Sequence, residues 1–158
     1  MITMKVKKLS QILAEQSLTI SVAESCTGGH LSALLTSVSG SSAYFDRGYI
    51  TYSNQAKTDM LNVDTKVLEK FGAVSEQTAA EMVSGVIQNS HSDVAVSITG
   101  VAGPTGGTVE KPVGMVCFGF CIKDKYFVET QNFTGDRETV VSSSVDFVIQ
   151  TLVNELSA

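Results

Sequence analysis

Apolar positions recur at helical spacing from the start of the chain: Val6, Leu9, Ile12 and Leu13 share one face, which predicts a helix over residues 4–17. The rhythm then changes to the β-branched run "LTISVAE", a short strand ending near Glu24, and a second helix is expected to begin around Thr27 with Leu31, Leu34 and Leu35 turned inward. "YFDRGYITYSN" reads as a strand. "NQAKTDML" follows as a short helix with Asn54 as its N-cap, and "TKVLEKFG" as a further turn or two closed by Gly72. Ser75 suits the cap of another helix, with Ala79, Met82, Val83, Val86 and Ile87 at i, i+3, i+4, i+7 spacing. "DVAVSIT" is the next strand. "VGMVCFGFCI" and "KYFVETQNF" then form a hairpin turning at Lys123 to Lys125, and a long final helix from Asp136 buries Val141, Val145, Val148, Ile149 and Leu152.

Helices and strands alternate early and an antiparallel pair comes late, so the pattern predicts an α/β protein, a three-layer α/β/α domain with a mixed sheet. With 158 residues, 43% hydrophobic content and 2 prolines, the chain reads as a single domain spanning 1–158. No apolar run approaches the roughly 18 residues of a membrane span, and the amphipathic N-terminus is no leader, so a cytoplasmic protein is expected.

The net charge of −5 offers no basic stripe for a nucleic acid. With only His30 and His91, and with Cys117 and Cys121 on one face of a strand as buried thiols, no metal or cofactor is expected. Of 11 basic residues only Arg47 and Arg137 are arginines, each beside a glycine and an aspartate, in "FDRGY" and "TGDRE". Arginine grips a phosphate through two donors, so a small anionic ligand is one reading and two solvated side chains the other.

Three segments follow strand ends, where ligands collect in open α/β sheets: "ESCTGG", "TYSNQAK" and "TGVAGPTGG". In the first, Ser25 or Thr27 is either a helix cap or part of an anion site made by free N–H groups at a helix start. Cys26 and His30, four residues apart, suggest a packed contact before they suggest a catalytic pair. Lys57 breaks a local rule: with Asn54 as cap it falls in the first helical turn, where the dipole disfavours a cation. Such a position depresses an amine pKa, and a neutral lysine is a competent base for a serine hydroxyl; a solvated lysine is the alternative.

"AESCTGG", "TYSNQAK", "GAVSE", "TGVAGPTGG", "EKPVG" and "GDRE", in this order and spacing, resemble the C-terminal domain family of the competence/damage-inducible CinA proteins, over about Thr19 to Leu152. The resemblance implies an α/β/α fold, a homo-oligomer and a metal-free amidohydrolase that converts nicotinamide mononucleotide into nicotinate mononucleotide and ammonia. It makes Ser25 the nucleophile and Lys57 its base, with Tyr52 close to both. Backbone N–H groups from Cys26 through Thr27 and Gly28 to Gly29 would then hold the oxyanion. The glycines would let substrate approach, the loop of Thr99, Gly100 and Gly103 would line the pocket, and Arg47 or Arg137 would meet the 5′-phosphate. Two positions depart from the family pattern: Val141 stands where a further arginine is common after "GDR", and Met115 where "PVG" is followed by threonine. A nucleotide-binding module without turnover and a cysteine amidase acting through Cys26 are the competing expectations.

Overall fold

In the structure, a computed structural model describing residues 2–158, five strands form one sheet of order β2-β1-β3-β4-β5. These are β1 (Ile20–Glu24), β2 (Phe45–Ile50), β3 (Val94–Gly100), β4 (Met115–Ile122) and β5 (Lys125–Asn132). The first three run parallel to one another and the last two pair antiparallel, so the sheet is mixed. The helices are α1 (Ile2–Glu15), α2 (His30–Leu35), α3 (Asn54–Leu61), α4 (Thr65–Phe71), α5 (Glu76–Ser90) and α6 (Arg137–Ser157). One face of the sheet packs against α1, α2 and α6, and the other against α5 with α3 and α4 outside it.

Side-chain size along the strands sets the two layers. On β3, Val94, Val96 and Ile98 join the core under α1 and α6, together with Phe118 and Phe120 of β4. The alternate residues Ala95, Ser97 and Thr99 are small, and so is Gly119 of β4, where an added Cβ would stand 2.5 Å from the Ala79 carbonyl oxygen. Helix α5 therefore lies close on the sheet, and Ser97 Oγ donates to that same carbonyl at 2.7 Å. The hairpin turns through Lys123 and Asp124, both at positive φ, as a two-residue turn whose twist matches the strands.

Element ends differ from the periodicity at three places. The first helix ends at Glu15, because Ser17 takes a positive φ of 56° and Leu18 turns into the core. Regular helix α2 begins only at His30: Cys26 to Gly29 form a turn with Gly28 and Gly29 at φ 54° and 109°, and Leu34 is only half-buried. Helix α3 is capped by Ser53, not Asn54, since the serine has the extended backbone of a cap and accepts from Ala56 N–H at 3.0 Å. The cap expected at Ser75 is present, and Asp136 caps the final helix by accepting from Thr139 N–H.

Candidate active site

The carboxyl ends of β1, β2 and β3 lie side by side, and the polar segments that follow them meet there. Pairing extends beyond the strands: Ser25 N–H donates to Ile98 O at 2.9 Å, and Thr51 N–H to Glu24 O at 2.9 Å. Ser25 and Thr51 thereby become fixed points of the sheet.

With Ser53 as cap, Lys57 is the fourth residue of α3, and its side chain turns inward until only 1% of it is exposed. Its Nζ donates to Ser25 Oγ at 2.9 Å, to Thr51 O at 2.9 Å and to Tyr52 O at 3.4 Å. None of these partners is a carboxylate. Burial without a counter-charge disfavours the ammonium, and the pKa falls to about 8. Desolvation by burial is thus the main cause that lowers the Lys57 pKa.

Cys26 is different in kind. Its thiol sits in the core beneath the turn, and burial pushes its pKa up to about 12, so at neutral pH it holds its proton and is a poor nucleophile. It makes no pair with His30, whose Nδ1 lies 2.6 Å from Thr27 O. Thr27 is 1% exposed and donates through Oγ1 to Glu24 Oε1 at 2.6 Å. Gly28 and Gly29 lie outside the cleft; their positive φ builds the turn, and a Cβ on Gly28 would meet nothing within 4 Å.

A cleft of about 290 Å³ opens over Ser25 and Lys57. Its walls include Cys26, Tyr52, Ala73, Val74 and the loop from Thr99 to Gly106, and Arg137 closes one side. Thr99 Oγ1 donates to Ala73 O at 2.8 Å and so holds the α4–α5 connection against the strand ends. At Gly100 a Cβ would stand 2.7 Å from Val116, so the loop leaves the sheet only because this residue has no side chain. Arg137 donates from one terminal nitrogen to Gly103 O at 2.8 Å and from the other to the Tyr52 hydroxyl at 2.8 Å. Tyr52 thus offers its carbonyl to the lysine and its hydroxyl to the arginine.

The structure does not bring Arg47 to this cleft. Its Nε pairs with Asp46 at 2.6 Å and a terminal nitrogen donates to Asn89 O at 2.9 Å, on the outer edge of β2. Among the described residues no cluster of three or more His, Cys, Asp or Glu side chains is placed to hold a metal ion, and no helix is long and apolar enough to cross a membrane. Sequence reasoning missed Glu24, Ala73 and Val74. The signal for Glu24 was an acidic residue at a strand end beside a helix start whose cap position is a glycine.

A family model of the CinA C-terminal domain matches residues 3–156. The chain belongs to the CinA C-terminal domain family. A nicotinamide-nucleotide amidohydrolase, PncC, of Enterobacter agglomerans is 50% identical over 137 residues, which cover 86% of this chain and 84% of that protein. A CinA-like protein of Chlorobium limicola is 57% identical over 115 residues, 73% of this chain, and the match spans only 27% of that longer relative. The crystal structure of the competence/damage inducible protein CihA from Agrobacterium tumefaciens superposes with a TM-score of 0.95 at 38% identity, covering 99% of this chain and 96% of that one. The three-layer mixed α/β fold is therefore the family's own, and the Ser25–Lys57 cleft is this CinA-type chain's candidate active site.

Proposed function

We propose that this CinA-type domain is a nicotinamide-nucleotide amidohydrolase, releasing ammonia from the carboxamide of nicotinamide mononucleotide to leave nicotinate mononucleotide. The name of the Enterobacter agglomerans relative supports the substrate. The single observation that carries the chemistry is the buried 2.9 Å contact between Lys57 Nζ and Ser25 Oγ.

Neutral Lys57 takes the Ser25 hydroxyl proton as Oγ attacks the carboxamide carbon. The tetrahedral oxyanion faces the turn after β1, where Gly28 N–H is taken by Ser25 O but, among the described residues, Cys26 and Thr27 N–H have no backbone partner. Donors of this kind are worth about 3 kcal/mol each in the transition state. The lysine proton passes to the departing nitrogen, the C–N bond breaks, and ammonia leaves an ester on Ser25. Water then attacks the ester, giving its proton to Lys57, and the serine oxygen leaves with a proton as the nicotinate carboxylate forms. The carbonyls of Thr51 and Tyr52 aim the amine throughout, which is the part Tyr52 plays beside the base.

Arg137 is the cation we assign to the 5′-phosphate. Two of its donors hold Gly103 O and the Tyr52 hydroxyl, leaving others in the fork for an anion. A homo-oligomer acting in the cytoplasm on a free nucleotide, with no nucleic-acid partner, belongs to the same proposal, and sedimentation equilibrium tests the assembly. Ammonia release from nicotinamide mononucleotide by the purified chain tests the function: stoichiometric release with nicotinate mononucleotide is expected, whereas binding without turnover makes the domain a nucleotide-binding module.

A further inference from the structure

Glu24 ends β1 directly before the candidate nucleophile, and it is 0% exposed. Among the described residues no lysine or arginine pairs with it. A lone buried carboxylate carries a large desolvation penalty unless hydrogen bonds replace its water. Here they do. Oε1 accepts from Thr27 Oγ1 at 2.6 Å and Leu31 N–H at 2.8 Å, while Oε2 accepts from Ser32 N–H at 2.9 Å and Ser32 Oγ at 2.7 Å.

Two consequences follow from where these donors sit. Helix α2 has Gly29 at its cap position, with no side chain to close its first turn, so Glu24 reaches over from the strand and closes it instead. The start of α2 is therefore occupied from within and is no seat for a substrate phosphate. The carboxylate also fastens the turn that follows Ser25, in its middle at Thr27 and beyond its end at Leu31 and Ser32 in the first turn of α2. At the main chain, Glu24 O accepts from Thr51 N–H, and Thr51 O accepts from Lys57 Nζ. One residue is thus bonded to the segment holding the serine and to the segment aiming the lysine.

We propose that Glu24 is a positioning residue, acting through the turn from Ser25 to Gly29 to hold the serine hydroxyl and the neighbouring N–H donors in register with Lys57. It touches no substrate. The proposal rests on the serine–lysine reading above, and it goes beyond capping because it locates the loss in the chemical step.

The test is steady-state ammonia release from nicotinamide mononucleotide by Glu24→Gln, Thr27→Val and Ser25→Ala, with thermal melts and the affinity for nicotinate mononucleotide. Glu24→Gln keeps the size of the side chain but turns an amide NH₂ toward N–H donors, so the turn shifts while the cleft remains. In a folded Glu24→Gln enzyme, kcat falls about 100-fold, as misplacement of reacting groups by ~1 Å does, while KM and product affinity stay within about threefold. Thr27→Val, which removes one of the four bonds and no bulk, lowers kcat about tenfold in the same pattern, and it decides the matter if Glu24→Gln does not fold. Unchanged kcat, or a loss confined to KM, overturns the positioning role. Active Ser25→Ala overturns the serine–lysine reading itself, whereas inactive Ser25→Ala beside fully active Glu24→Gln and Thr27→Val sinks only the inference about Glu24.

Discussion

Lys57 Nζ stands 2.9 Å from Ser25 Oγ, and its other partners are the main-chain carbonyls of Thr51 and Tyr52. A lysine held this way, 1% exposed and facing only neutral acceptors, costs folding energy when charged. It suits a base that must be neutral to act.

The pH dependence follows from that burial. With a pKa lowered to about 8, Lys57 is mostly protonated at pH 6.5 and mostly neutral at pH 9. The kcat/KM profile is expected to climb through an acidic limb near pH 8 and to flatten above it. A profile already flat at pH 6.5 rules out Lys57 as the titrating base.

Stability carries the same signature with a definite sign. The folded-state pKa of about 8 lies below the ordinary amine value of 10.5, so between those limits the unfolded chain binds more protons and folding stability rises with pH. Below pH 8 the full penalty remains, on the order of 3 kcal/mol from the size of the shift. Lys57→Met is expected to melt higher than wild type at pH 7, with the difference shrinking towards pH 10.5. Parallel melting curves across that range contradict the depressed pKa.

Cys26→Ala is expected to retain most activity, and wild type to resist alkylation at pH 7, because the thiol is buried and pushed up to about 12. Stoichiometric loss of activity on labelling of Cys26 would transfer the nucleophile's role to the cysteine.

For Arg137 the expected effect depends on substrate. Arg137→Ala lowers kcat/KM for the mononucleotide by ~2 kcal/mol, about 30-fold, the scale of a charge-assisted contact. Nicotinamide riboside, which lacks the phosphate, should lose only what Tyr52 and Gly103 lose by being released. An equal fall for both substrates assigns Arg137 to holding the loop and the tyrosine and places the phosphate elsewhere.

Much of this was legible in the residues because the signals were local. The alternation of β4 and β5, the strand run of β3, and the cap at Ser75 each act within a few positions of themselves. The shift of the α3 cap from Asn54 to Ser53 and the delayed start of α2 at His30 were lost because neighbouring polar residues cap almost equally well, and paired glycines at positive φ look like a helix start until the turn is seen. Glu24 escaped notice for a deeper reason: its partners Thr27, Leu31 and Ser32 are near in sequence, but its complete burial belongs to the assembled sheet, where β1 lies between β2 and β3. Arg47 and Arg137 were equivalent in their flanking residues and separated only by topology, which puts one on an outer strand edge and the other over the cleft.

The central claim is that Ser25 is the nucleophile that Lys57 activates, and the most direct measurement is kcat for ammonia release from nicotinamide mononucleotide by folded Ser25→Ala. The account predicts a fall of at least about 10⁴-fold, the scale seen when a catalytic nucleophile is removed, with binding of nicotinate mononucleotide preserved. A Ser25→Ala enzyme that still turns over within about tenfold of wild type contradicts it.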